Sequence, residues 1–109
     1  MAAHFCYVTV PSRELALGIG RTIVEDRLAA CANVLDGMRS LYWWQGTLEE
    51  ASEAVLILKT RGELLERLIA RIRELHPYEC PCVVALPIAA GNRAYLDWIA
   101  SETAPALRP

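Results

Sequence analysis

The densest chemistry in this chain lies in His76-Pro77-Tyr78-Glu79-Cys80-Pro81-Cys82, a loop bracketed by prolines and followed at once by an apolar run over 83–88. An imidazole changes charge near neutral pH, so His76 could ligate a metal or shuttle a proton. Glu79 could accept hydrogen bonds from a ligand, with Tyr78 beside it. Loops held by a rigid scaffold are where binding residues concentrate. A plainer role also fits: His76 and Glu79 cap the preceding helix and brace a turn. Spacing alone favours that plainer role.

Cys80 and Cys82 form a C-x-C. Two thiolates so close could chelate a soft metal such as Cu(I) or zinc, and in a strand they would share a face. A structural zinc site takes four ligands, and no second Cys pair follows. The two therefore read first as small, buried, apolar residues. Cys6 and Cys31 are also expected to be buried, with Cys31 the better placed to line a pocket. Lys59 ends an apolar strand, where it either meets a carboxylate or bound anion or snorkels to solvent. A Cys31–His76 nucleophile pair would make the chain a small hydrolase or acyl-transfer enzyme, but nothing in the sequence places the two together. There is no P-loop, G-x-G-x-x-G, H-E-x-x-H or G-x-S-x-G.

The elements that must position these residues follow from periodicity. Residues 4–10 are β-branched and aromatic and read as a strand. Ser12 is placed to cap a helix, and Leu15, Ile19 and Ile23 mark its face to about Leu28. Residues 31–44 and 47–59 read as a long antiparallel hairpin, bent near Asp36-Gly37 and turning at Gln45-Gly46. Both arms exceed the usual strand length of ~5–6 residues. Thr60-Arg61-Gly62-Glu63 has capping-box spacing before a helical stripe of Leu65, Leu68, Ile69, Ile72 and Leu75, which Pro77 stops. Residues 82–88 form a fourth strand, whose continuous apolar run suits a strand covered on both faces. Asn92 can cap a last helix lined by Tyr95, Trp98 and Ile99. The order β-α-β-β-α-β plus a C-terminal helix predicts an α+β, ferredoxin-like sandwich with a long β2–β3 hairpin. It is read as one domain over 1–109, with its core at about 4–103 and a frayed tail at 104–109.

With 109 residues, 54% of them hydrophobic and only 22% charged, the chain carries more apolar surface than one copy of this size can bury. Leu41-Tyr42-Trp43-Trp44 near the hairpin tip points to a subunit contact, since aromatic residues favour interfaces; cross-strand stacking within one copy is the alternative. The net charge of −2 supplies no basic footprint for nucleic acid. The N-terminus lacks a signal-peptide pattern, and no apolar run approaches the ~18 residues of a membrane span. The chain reads as cytoplasmic, with reduced thiols.

Seven ordered motifs then resemble one family, the CutA proteins of divalent-cation tolerance. They are Thr9-Val10-Pro11, Leu28-Ala29-Ala30-Cys31-Ala32-Asn33, Ser40-Leu41-Tyr42-Trp43-Trp44-Gln45-Gly46, Leu58-Lys59-Thr60, His76-Pro77-Tyr78-Glu79, Ala85-Leu86-Pro87-Ile88 and Tyr95-Leu96-Asp97-Trp98-Ile99. The resemblance implies a tight homotrimer, similar to the PII signal-transduction trimers, that takes a small ligand in clefts between subunits and is tied to copper or another divalent metal. It implies no catalysed reaction, no catalytic residue and no required cofactor. On it, Cys31, Trp44, Lys59, Tyr78 and Glu79 are the expected ligand-binding residues, with His76 and Cys82 the candidate metal ligands. The chain departs from the family pattern where copper-linked members carry a Cys and a second His, here Val8 and Leu75. It departs again at Cys80-Pro81-Cys82, where the family usually has Val-Pro-Glu; that exchange removes a carboxylate and adds a soft ligand.

Overall fold

A computed structural model describes residues 2–103. The order along the chain is β1 (Ala3–Val10), α1 (Arg13–Glu25), β2 (Cys31–Trp44), β3 (Thr47–Arg61), α2 (Leu65–Leu75), β4 (Val83–Pro87) and α3 (Arg93–Glu102). The strands form one antiparallel sheet in the order β2-β3-β1-β4. This is the expected ferredoxin-like α+β arrangement with its added helix.

Residues directly opposite in an antiparallel pair share a face, so the register sorts the sheet into two surfaces. Cys6, Val8 and Val10 pair with Leu58, Leu56 and Ala54. These six are buried and pack with Ala16, Ile19 and Ile23 of α1 and Leu68 and Ile72 of α2. The opposite face carries Phe5, Tyr7 and Thr9 of β1, Val55, Ile57 and Lys59 of β3, and Val84 and Leu86 of β4. α3 packs against β1 and β3, and its Tyr95 meets Cys31 and Lys59 on this open face.

Ser12 caps α1, its Oγ accepting from Leu15 N–H at 3.1 Å, and Asn92 caps α3 in the same way through Ala94 N–H. α1 stops at Glu25, short of Leu28. Arg27 takes a left-handed conformation with φ of 62°. Its N–H bonds Val24 C=O while Leu28 N–H bonds Ile23 C=O, the Schellman closure. An Arg stands where Gly is usual, which is why the helix reads longer in sequence.

Two other expectations are corrected. Thr60 does not cap α2: its hydroxyl is buried and donates to Leu28 C=O at 2.7 Å, and α2 is entered through a short 3₁₀ turn at Gly62–Leu64. β4 is not covered on both faces. It is an edge strand, and Val84 and Leu86 are half exposed within this chain. The 104–109 tail lies outside the described residues.

The β2–β3 hairpin turns at Gln45 and Gly46, both with positive φ (51° and 81°), the type I′ geometry that matches strand twist. Leu35 pairs with Val55 but Met38 with Glu53. One extra residue thus sits on β2, at the Asp36-Gly37 bend, with Gly37 at φ 81° and its N–H bonded to Asp36 Oδ1. This is a β-bulge.

Candidate functional site

The bulge decides which aromatic residue faces the site. Before it, odd-numbered β2 residues share the open face. After it, the phase flips, and Met38, Ser40, Tyr42 and Trp44 lie on that face opposite Glu53, Ala51, Glu49 and Thr47. The Tyr7 hydroxyl reaches Met38 Sδ at 3.5 Å, consistent with this phase. Trp43, thrown to the other side, is 73% exposed.

Tyr42 and Trp44 from β2, Glu53 from β3 and Thr9 from β1 form one side of a groove of about 710 Å³. Tyr78, Glu79 and Cys82 from the α2–β4 loop form the other. Ser40, Leu41, Pro77 and Cys80 complete its lining. The volume is in the range of small-molecule sites.

His76 fixes the loop. It is buried, and its backbone N–H closes α2 onto Ile72 C=O. Nδ1 accepts from Tyr78 N–H at 3.1 Å. The ring therefore carries its proton on Nε2, which donates to Thr9 C=O at 2.7 Å. Both nitrogens bond backbone groups, so His76 takes the bracing part of the plainer role, while Glu79 lines the groove. The rings of His76 and Tyr78 sit 4.8 Å apart.

So positioned, Tyr78 donates its hydroxyl to Glu53 Oε2 at 3.0 Å. Burial is the largest cause raising its phenol, followed by the bond to Glu53 and the nearby charges, and together they push it up to about 12. Glu53 itself is 6% exposed. Sequence reasoning missed it. The available signal was its phase: it precedes Val55, Ile57 and Lys59 by even steps and so shares their face.

Cys31 and Lys59 are not part of this groove. They are cross-strand partners at the far end of the hairpin. Cys31 Sγ lies 3.6 Å from the Tyr95 hydroxyl, and Lys59 Nζ donates to Asn33 Oδ1 at 3.1 Å while standing 5.7 Å from the Tyr95 ring centre. Tyr95 is raised first by its bond to Cys31 and then by burial, with Lys59 opposing. Six residue steps along β3 separate Lys59 from Glu53, roughly 20 Å. The chain therefore holds two groups: Trp44, Tyr78 and Glu79 on the groove, and Cys31 with Lys59 under α3. Within one chain Cys31 and His76 are not brought together: Cys31 lies at Tyr95 and His76 at Thr9.

Cys80 and Cys82 are exposed, not buried as read from sequence, because β4 starts only at Val83. Among the described residues no group of three or more His, Cys, Asp or Glu could hold a metal ion. One chain thus offers no closed metal cage, only the two thiols of the C-x-C.

A family model described as CutA1 divalent ion tolerance protein matches residues 4–102. The chain belongs to the CutA1 family. It is 49% identical over 96 residues to the divalent-cation tolerance protein CutA of Thermus thermophilus, covering 88% of this chain and 93% of that one. It is 42% identical over 97 residues to human Protein CutA, covering 89% of this chain but 54% of the human one. The chain thus spans about half the length of its human and plant relatives. The solved Thermus structure superposes with a TM-score of 0.91 at 46% identity, covering 94% of this chain and 99% of that one. CutA1 from Oryza sativa superposes with a TM-score of 0.92 at 39% identity, covering 95% of each. The Thermus protein is named for tolerance of divalent cations. Among the described residues no helix is long and apolar enough to cross a membrane.

Proposed function

We propose that this CutA1-family chain works as a cytoplasmic homotrimer that catalyses no reaction and takes a small molecule or a divalent metal such as copper in clefts between subunits, in the manner of the PII trimers. One observation carries the reading: a split site beside uncovered apolar surface. Leu41, Trp43 and Leu48 on the hairpin, and Leu35, Val84 and Leu86 on the sheet, are all at least half exposed. Patches of that kind mark contacts. A neighbouring copy seated there would bring its Cys31 and Lys59 toward this copy's Trp44, Tyr78 and Glu79, which one chain keeps roughly 20 Å apart.

Any metal the protein takes is assigned to Cys82 with Cys80, since two exposed thiols suit a soft ion of low coordination number. His76 serves as the brace of the loop. No cofactor is required for the fold. The free thiols suit a reducing compartment, and the pI of about 5.6 argues against nucleic acid as partner. Native mass spectrometry of the untreated protein tests the reading. A trimer retaining a metal or small molecule supports it. A stable single copy at micromolar concentration overturns it.

A further inference from the structure

We propose that the Glu53–Tyr78 groove selects a small organic cation bearing N–H groups, a primary ammonium or a guanidinium, on an apolar body. The inference rests on the groove being the ligand cleft and adds the chemical class of what enters it.

A carboxylate removed from water needs a compensating charge or a full set of hydrogen bonds. Glu53 is 6% exposed, and among the described residues it takes one hydrogen bond, to Oε2 from the neutral hydroxyl of Tyr78, while its Oε1 is not sealed from solvent. A carboxylate can accept about four. No Lys, Arg or His lines the groove. Arg39, one residue along β2 from Glu53's partner Met38, faces the other side and is held by Glu50 Oε2 and Ser52 Oγ, each at 2.6 Å. Glu53 thus keeps an unused acceptor at the wall of a cavity whose second carboxylate, Glu79, carries the same sign.

The other walls favour a cation of a particular kind. Tyr42, Trp44 and Tyr78 present aromatic surface, which attracts cations to its face. Leu41 and Pro77 offer apolar contact for a hydrocarbon body. A hard metal ion wants six or more oxygen ligands, and no such cage is present among the described residues. A quaternary ammonium would satisfy the rings but leave the acceptor of Glu53 unused. An N–H-bearing organic cation satisfies both.

The test is calorimetry on the purified, assembled protein in chelator-containing buffer. The probes are hexylammonium, hexan-1-ol, hexanoate and tetramethylammonium, with the Trp44 indole N–H followed by NMR. Hexylammonium should bind at least roughly tenfold tighter than the other three, as a charge-assisted hydrogen bond requires. Glu53→Gln should remove most of that preference while leaving hexan-1-ol unchanged. The amide oxygen still accepts from Tyr78, so this variant keeps the fold; if it does not, the wild-type ranking of the four probes decides alone. Equal binding of hexanoate, or indifference to Glu53→Gln, overturns the inference, as does a structure of the assembly with a neighbouring copy's Arg or Lys on Glu53. If hexanoate shifts Trp44 and hexylammonium does not, the cleft stands and the cation preference falls. If none of them shifts Trp44, both readings fall.

Discussion

Nε2 of His76 donates to the carbonyl of Thr9 at 2.7 Å, joining the end of α2 to the end of β1 across 67 residues of chain. The same ring accepts from Tyr78 N–H, so one side chain satisfies two backbone groups and sets the direction of the loop. His76→Ala leaves the Thr9 carbonyl and the Tyr78 amide without these partners. The expected cost is about 2–3 kcal/mol, read as a lower midpoint in urea. The variant should also release Tyr78 from Glu53, bringing the phenol down from about 12 toward its ordinary value near ~10.

Two glycines in α1 should respond to Ala with opposite signs. A Cβ at Gly18 meets nothing within 4 Å, whereas one at Gly20 would lie 3.0 Å from Ala32 Cβ and 3.1 Å from Leu56 Cδ1. Gly18→Ala gains helix propensity and should stabilise by about 0.5–1 kcal/mol. Gly20→Ala gains the same propensity but pushes α1 off β2 and β3, and overpacking of that kind costs about 1–3 kcal/mol. Thermal melts of the two variants should move in opposite directions.

Much of this architecture could be read from local signals. Ser12 and Asn92 announce their helices because a cap acts on residues two or three positions away. Leu65, Leu68 and Ile72 announce theirs by period. The misreadings share a cause, which is a partner distant in sequence. Thr60 has capping spacing, yet its hydroxyl goes to Leu28, 32 residues back. β4 looks doubly buried, yet the face that carries Val84 and Leu86 is left half exposed by this chain. The bend at Asp36-Gly37 was legible, but that it turns Trp44 rather than Trp43 toward the site depends on the register against β3. Glu53 gave little sign of itself because its partner Tyr78 is 25 residues on. Where Cys31 and Lys59 stand relative to Tyr78 depends on tertiary distances that motif order does not carry.

Cys6 should separate from the other cysteines in both reactivity and pH response. Its side chain is fully buried, and burial pushes its thiol up to about 11 from 9.0. The thiolate is the reactive form, so alkylation of Cys6 at neutral pH should wait for unfolding. Its folded value is raised, so the stability it contributes is complete below pH 9 and is lost as pH rises through about 11. Up to roughly 2–3 kcal/mol is at stake. Cys6→Ala should flatten the alkaline limb of the stability profile; an unchanged limb would assign that loss to other groups.

Two separable causes raise the phenol of Tyr78. Its phenol stands at about 12 against an ordinary 10.0. Burial is the largest cause, and the bond to the Glu53 carboxylate the next. Burial disfavours phenolate whatever its neighbours, while an acceptor carboxylate disfavours it by charge and by holding the proton. Glu53→Gln removes the charge but keeps an acceptor and the surrounding packing. The phenol should therefore fall only part of the way and stay above 10.0. Phenolate absorbance in the near ultraviolet, with Tyr78→Phe identifying the signal, measures this directly. Because the folded value is raised, the hydroxyl's contribution to stability is present below the unfolded value and fades as pH climbs toward 12. Glu53→Gln should leave the onset of that fading unchanged but end it at a lower pH, so that less stability is lost in total. A full return to 10.0 in the variant would mean that the carboxylate, not burial, holds the proton on Tyr78.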